Sequence, residues 1–124
     1  MTEPFPFTVR PALKNRRVTV MGLGRFGGGV GAVRYLCRHG ARVTVTDLRT
    51  ADDLAESLQQ IDECRLEALQ LGGHCEDDFR EADLIVVNPA VRRSSPWLLM
   101  ASEAGVPTTS ELNLFWQEQR GKLI

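Results

Sequence analysis

This 124-residue chain lacks an excess of charge of either sign, and it also lacks long apolar runs. Fifteen basic residues against sixteen acidic ones give a formal charge of −1, so no overall field attracts nucleic acid or an anionic membrane surface. No apolar run approaches the ~20 residues of a membrane-spanning helix, and the N-terminus lacks the basic-then-apolar order of a secretion signal. These absences predict a cytoplasmic protein with no nucleic-acid partner and no membrane partner.

Cysteine and clustered metal ligands are scarce as well. Cys37, Cys64 and Cys75 form no CxxC pair and lie in or beside apolar segments, which predicts reduced, mostly buried thiols rather than a disulfide framework. His74 adjoins Cys75, but neighbouring residues do not easily face one ion and no further ligands cluster nearby. No metal site is predicted.

Glycine, in contrast, is concentrated in one segment. Gly22-Leu23-Gly24-Arg25-Phe26-Gly27 follows the apolar run at 18–21, and a second apolar run ends at Asp47. This order of strand, glycine-rich turn, helix, strand and acid is typical of a mononucleotide-binding βαβ unit. Backbone N–H groups near Gly27 would hold a pyrophosphate, Asp47 would accept from a ribose or an imide N–H, and Arg49 would meet a base or a phosphate. The alternative is that the glycines only let a helix pack closely on a strand.

Strands and helices are predicted to alternate along the chain. After the strands at 18–21 and 42–47, the largely apolar run at 83–87 is typical of a parallel strand covered on both faces. A short strand or loop is expected at 74–75, a brief strand at 106–109, and the start of one more strand at 123–124. Helices are predicted from residue 30 to Gly40, from a cap at Thr50 through Leu58 and Leu69 to Gly72, from Ser95-Pro96 to Gly105, and over 111–119. The predicted fold is α/β, a Rossmann-like doubly wound parallel sheet of about five strands in a single domain. This domain covers residues 16–124 and follows an extended arm at 1–15.

Two family resemblances compete for this pattern. The hexapeptide at 22–27, together with Asp47, is similar to the regulatory domains of potassium channels and transporters, which bind NAD or adenine nucleotides. A longer resemblance, over about 16–124, is to the N-terminal domain of the Mur ligases, in the branch that adds D-glutamate to UDP-N-acetylmuramoyl-L-alanine for peptidoglycan. Its motifs are the turn at 22–27, Asp47-Leu48-Arg49, Gly72-Gly73-His74, residues 82–86, Asn88-Pro89-Ala90-Val91, and Ser110-Glu111-Leu112 before Phe115. Several motifs in matching order favour the Mur ligase resemblance over the potassium-channel resemblance, which rests on one hexapeptide.

The ligase resemblance implies a set of UDP-binding residues. The backbone of Gly24, Arg25, Phe26 and Gly27 would face the pyrophosphate. Asp47 and Leu48 would meet the uracil edge, and Arg49 would flank the base or a phosphate. Gly72 or Gly73 would let the backbone approach the nucleotide, and Asn88 would lie at a strand end.

Two departures from the family pattern bear on this site. Arg25 and Phe26 stand where smaller or polar residues are common in the family, so only their backbone contacts are carried over. The family usually has Ser-Pro-Gly where this chain has Asn88-Pro89-Ala90, and alanine resists positive φ, so a different loop geometry is expected there.

The same resemblance implies that catalysis lies elsewhere in a parent enzyme. That ADP-forming ligase uses ATP and Mg²⁺, which need a phosphate-gripping GxxxxGK[ST] loop, and Gly121-Lys122 does not satisfy the pattern. The chain is therefore expected to be an inactive fragment with no cofactor and no catalytic residue of its own, ending before the ATP-binding domain. Its expected partners are UDP-N-acetylmuramoyl-L-alanine and the central and C-terminal domains of its parent chain, in a monomer. A third alternative, an NAD-dependent oxidoreductase, lacks an obvious proton donor at the strand ends.

Overall fold

A computed structural model describes residues 13–24, 29–92 and 94–110. Within them the chain forms five strands, β1 Arg17–Met21, β2 Arg42–Asp47, β3 Ala68–Leu71, β4 Leu84–Val87 and β5 Thr108–Ser110. The helices between them are α1 Val30–Arg38, α2 Ala55–Gln60, α3 Glu76–Arg80 and α4 Pro96–Glu103. The strands form one parallel sheet in the order β3-β2-β1-β4-β5, which confirms the predicted Rossmann-like architecture.

The sheet is covered on both faces because successive side chains of a strand point in opposite directions. Val18 and Val20 of β1 pack with α1 in one buried cluster. Met21 of the same strand packs with Phe79 of α3 and Ala101 of α4 in a second cluster. Burial on both faces explains why the apolar run in β4 is continuous rather than alternating.

Several predicted ends are confirmed. Strand β2 has the predicted bounds, and Gly40 follows the end of α1 with φ +80°, a conformation that glycine adopts at low cost. At the start of α4, Pro96 is the first helical residue, and Ser95 Oγ accepts a hydrogen bond from the backbone N–H of Trp97 at 3.3 Å.

The segment between β2 and β4 differs from the prediction. Helix α2 ends at Gln60, and Leu69, expected on its buried face, lies in β3 with 45% of its surface exposed. The third strand therefore precedes Gly72 instead of following it, because residues 68–71 pair with 44–47 of β2. Residues 76–80, for which no helix was predicted, form α3. An exposed edge strand has no buried face to impose a clear apolar alternation, so local pattern did not distinguish it from a helix.

The cysteines are less buried than predicted. Cys37 and Cys64 are half-buried and Cys75 is exposed, because they lie at the margins of the core rather than within it. Burial raises the pKa of the Cys37 thiol to about 12, and the neighbouring Cys64 thiol adds to this shift.

Some predicted elements lie outside the described residues. These are most of the arm at 1–15, the helix over 111–119 and the strand expected from residue 123. In the part of the chain that the structure describes, no helix is long and apolar enough to cross a membrane.

Candidate functional site

A cavity of about 860 Å³ lies at the carboxyl edge of the sheet. Its walls are the turns after β1, β2 and β4 and the first turn of α4. The chain passes from β1 outward to β2 and β3, then returns to the other side of β1 for β4. In open α/β sheets, ligands bind where the strand order reverses in this way. The volume is in the range of sites for small molecules, roughly 300–1,000 Å³.

Two glycines allow the tight turn after β1. Gly22 has φ +94°, and a Cβ atom there would lie 2.8 Å from the Cβ of Asn88. A Cβ atom at Gly29 would lie 2.6 Å from the carbonyl oxygen of Gly22, so α1 approaches β1 as closely as its backbone permits. Sequence reasoning assigned the close of the turn to Gly27, which lies outside the described residues together with Arg25 and Phe26. The run of glycines beyond residue 27 was the available signal for Gly29.

Asp47 holds this turn from the end of β2. Its side chain is only 4% exposed. Its Oδ2 accepts from the backbone N–H groups of Leu23 at 2.9 Å and Gly24 at 3.3 Å, and its Oδ1 accepts from Arg49 N–H at 2.9 Å. A carboxylate can accept about four hydrogen bonds, so the three made within the chain leave about one acceptor position. Asp47, the acidic residue of the nucleotide-binding motif, thus stabilises the glycine-rich turn and also forms part of the cavity wall.

Ser57 of α2 also stabilises this turn, through a contact that sequence reasoning missed. The residue is fully buried, and its hydroxyl donates to the carbonyl oxygen of Gly24 at 2.6 Å. No motif marks it, because the contact depends on how α2 packs beside the turn. With Asp47 bound to the N–H of Gly24, both backbone polar groups of this glycine are satisfied by side chains.

Asn88 joins the turns after β1 and β4. Its amide Nδ2 donates to the carbonyl oxygen of Gly22 at 3.1 Å, and its Oδ1 accepts from Ala90 N–H at 2.9 Å. Ala90 does not adopt a positive φ, so this loop has no need of the family's glycine at that position. The loop geometry is therefore compatible with alanine.

The residues after β2 divide into exposed and supporting groups. Leu48 is 68% exposed at the cavity, and the Arg49 side chain is exposed beside it. Gly72 N–H donates to the carbonyl oxygens of Asp47 at 3.0 Å and Arg49 at 2.9 Å, and Gly73 N–H donates to that of Asp47 at 3.3 Å. The two glycines thus stabilise the turn after β2 through backbone hydrogen bonds. The adjacent residue, His74, lines the cavity.

His74 and Trp97 form an aromatic part of the cavity wall that the motifs did not reveal. Their rings meet edge to face with centroids 5.4 Å apart, and the His74 ring also contacts Phe79 at 5.5 Å. Burial lowers the pKa of His74 below its ordinary value, while the carboxylates of Asp47 and Asp78 act in the opposite direction. The imidazole is therefore biased toward its neutral form.

Two arginines line opposite sides of the cavity, Arg49 after β2 and Arg92 after β4. Among the described residues, neither guanidinium forms an ion pair with a carboxylate. Uncompensated guanidinium groups favour an anionic ligand such as a phosphate. Within the same residues, no group of three or more histidine, cysteine or acidic side chains is placed to hold a metal ion.

Comparison with known proteins places this geometry in a family. Residues 16–110 match the profile of the Mur ligase MurD-like N-terminal domain. The chain is 43% identical over 112 residues to a UDP-N-acetylmuramoylalanine--D-glutamate ligase of Roseiflexus sp., covering 90% of this chain and 24% of that protein. A protein of the same name from Trichlorobacter lovleyi is 42% identical over 102 residues, with 82% and 22% covered. The chain thus spans about a quarter of the length of these relatives.

Solved structures agree on the fold. The UDP-N-acetylmuramate-alanine ligase of Thermotoga maritima superposes with a TM-score of 0.65 at 20% identity, over 86% of this chain and 23% of that one. A pseudomurein peptide ligase type C of Methanothermus fervidus superposes with a TM-score of 0.57 at 23% identity, over 82% and 20% of the two chains.

Proposed function

Because this chain belongs to the family of Mur ligase MurD-like N-terminal domains, we propose that its cavity binds the UDP part of UDP-N-acetylmuramoyl-L-alanine. The family match extends over 16–110, well beyond the hexapeptide shared with potassium-channel regulatory domains, so that alternative is not retained. The parent enzyme would then be a cytoplasmic, ADP-forming ligase that adds D-glutamate during peptidoglycan precursor synthesis.

The observation that carries this proposal is that one cavity is lined by the glycine-rich turn and by two arginines that form no ion pair with a described residue. Asp47 takes the N–H groups of Leu23 and Gly24, so we assign the pyrophosphate to the N–H groups of the residues that follow, 25–28. Backbone N–H groups at a helix start favour bound phosphate through their hydrogen bonds and partial positive charge. Arg25, Phe26 and Gly27 are proposed to act here through their backbone.

The uracil end is proposed to lie against the turn after β2. Leu48 offers an exposed side chain and its backbone, and Arg49 offers a planar cation that stacks on a base or pairs with phosphate. Asp47 contributes its remaining acceptor position, while Gly72, Gly73 and Asn88 keep the surrounding backbone in place. Most polar groups of these last residues already bond to the protein, so their main proposed role is to position the backbone rather than to contact the nucleotide.

The ligase reaction itself is assigned to the remainder of the parent protein. ATP and Mg²⁺ would be bound by its central domain, and the chain described here would supply the substrate's UDP end without a catalytic residue. We propose that this chain alone is monomeric, inactive, and a weak UDP binder, since the substrate would be held between domains.

A titration followed by amide NMR tests the proposal. UDP is expected to shift the amide signals of Gly24, Leu48 and Arg49, with smaller effects from equal concentrations of ATP or NAD. Cytidine diphosphate is the matched control, because it keeps the diphosphate and changes only the base edge. Strong shifts from ATP or NAD together with none from UDP would rule out the UDP assignment.

A further inference from the structure

A short hydrogen-bond chain runs from the backbone to His74 at the wall of the cavity. Thr46, which is fully buried in β2, lies with its Oγ1 2.5 Å from His74 Nδ1 and 3.4 Å from the carbonyl oxygen of Gly73. The hydroxyl group has one proton to donate, and a carbonyl oxygen can only accept. We assign the hydroxyl proton of Thr46 to the Gly73 carbonyl, which makes its oxygen the acceptor for His74 Nδ1–H.

This direction determines the tautomer of the imidazole. When Nδ1 carries the proton in a neutral ring, Nε2 carries a lone pair and acts as an acceptor. Edge-to-face contacts with Trp97 and Phe79 hold the ring in its orientation. The ring contacts fix the position of the imidazole, and the assigned hydrogen bond to Thr46 places its proton on Nδ1.

The acceptor atom remains available to a ligand. Among the described residues, the hydrogen bond of the His74 ring is made by Nδ1 to Thr46, and no protein group is bonded to Nε2. His74 also lines the cavity, so its ring lies where a bound ligand could reach Nε2. Asp47, the other acceptor at this position, already receives three backbone hydrogen bonds.

We propose that Nε2 of His74 is a specificity-determining acceptor that receives a hydrogen bond from the nucleoside part of the ligand, an inference that rests on the proposed UDP site. The donor is an imide N–H of the base or a hydroxyl of the ribose. A phosphate is excluded as the partner, because its oxygen atoms are acceptors and would face the lone pair. His74 therefore distinguishes nucleosides by their donors, whereas the arginines attract charge.

Acid should weaken this contact. Protonation of Nε2 converts the acceptor to a donor, and the lowered pKa of His74 delays this change to pH values below the ordinary histidine range. The charged groups that act on the ring are Asp47 and Asp78, both of which oppose the burial effect. The nucleoside contact is thus present at neutral pH and lost as the pH falls through the pKa of His74.

The test combines two substitutions with three ligands. His74→Phe keeps an aromatic ring against Trp97 and removes both nitrogens, and His39→Phe makes the same change at the only other histidine, at the end of α1. Affinity is measured by calorimetry for UDP, for N3-methyl-UDP and for 2′-deoxy-UDP. His74→Phe should bind UDP about three- to tenfold more weakly, the effect of one lost hydrogen bond, while His39→Phe should not.

The modified ligands identify the donor. The analogue that lacks the donor should bind the unsubstituted chain more weakly than UDP does, but should bind His74→Phe as well as UDP does. Equal losses for all three ligands in His74→Phe would overturn the inference, because they would indicate a general structural effect. The loss of UDP affinity in acid should likewise be smaller in His74→Phe than in the unsubstituted chain.

A ligand-free measurement separates this inference from the proposed function. The ¹⁵N chemical shifts of the His74 ring report directly which nitrogen carries the proton. Protonated Nδ1 is expected at neutral pH, and protonated Nε2 would overturn the assignment whether or not UDP binds. If UDP failed to bind the unsubstituted chain at all, the proposed function would fail, and the ring shifts would still decide the His74 tautomer.

Discussion

The two walls of the cavity are built in opposite ways. The β1–β2 wall, residues 22–24 and 46–50, is cross-linked by buried side chains, with Asp47 and Ser57 bonded to the backbone of Gly24. The β4 wall, residues 88–92 and 94–97, is attached to the other chiefly through Asn88 and carries the exposed Arg92. Both walls carry an exposed arginine, Arg49 and Arg92, but only the β1–β2 wall has buried side chains that bond to the backbone beneath it.

This difference separates stability from affinity. Groups that are already bonded in the free protein lose little freedom when a ligand binds, so the β1–β2 wall is preorganised. Exposed charges contribute little to folding but attract an oppositely charged ligand. Substitutions of the buried residues of the β1–β2 wall should therefore lower the free energy of unfolding, and substitutions of exposed residues such as Arg92 should lower affinity alone.

The largest effect is expected for Asp47→Ala. The change leaves the N–H groups of Leu23, Gly24 and Arg49 without their acceptor, which should lower the free energy of unfolding by about 3 kcal/mol. Urea unfolding followed by circular dichroism measures this loss. UDP affinity of the folded variant should fall by about 1–3 kcal/mol as well, because the glycine-rich turn is no longer held.

Asp53→Ala is the matched control for this substitution. Asp53 lines the same cavity but is exposed, so its removal should change stability by no more than about 0.5 kcal/mol. Equal stability of the two variants would show that Asp47 does not hold the β1–β2 wall.

A smaller effect is expected for Asn88→Ala, which disconnects the walls. The hydrogen bonds to the Gly22 carbonyl and from Ala90 N–H are lost, but both groups lie near solvent, so the cost should be about 1 kcal/mol of unfolding free energy. Amide hydrogen exchange should accelerate in residues 88–92 more than in residues 44–47. Uniform acceleration across both walls would contradict their separate construction.

The smallest effect on stability, and one confined to binding, is expected for Arg92→Ala. Arg92 has no ion pair among the described residues, so unfolding should change by less than about 0.5 kcal/mol. UDP affinity should fall, and the difference from the unsubstituted chain should shrink as salt is added, since salt screens exposed charges. Uridine, which lacks phosphate, serves as the control ligand and should bind both proteins equally.

Much of the central sheet could be predicted from local pattern. Strands β1, β2 and β4 are apolar runs of the length that a doubly covered parallel sheet requires, and Gly40 and Ser95 mark helix ends through their own backbone chemistry. The edge of the sheet could not be predicted in the same way. Strand β3 is exposed along most of its length, so its identity comes from pairing with β2 rather than from its side chains.

The residues of the candidate site also fall into those that local sequence pattern predicts and those that it does not. The glycine-rich turn, Asp47 and Arg49 were identified because their spacing is a local signal, and they do lie at one cavity. Ser57, His74 and Trp97 carry no such signal, since each acquires its place from an element that packs there from elsewhere in the chain.

The sequence by itself determined the strand-turn-helix order, the glycine-rich turn and the family, because those depend on backbone freedom and apolar spacing within short segments. Only the tertiary structure decided what the polar groups do. Contacts between residues 23 or more positions apart bind Asp47 to the turn, Ser57 to Gly24, and Thr46 to His74. Hydrogen bonds consume donors and acceptors one by one, so the groups left for a ligand become known only when their partners within the fold are known.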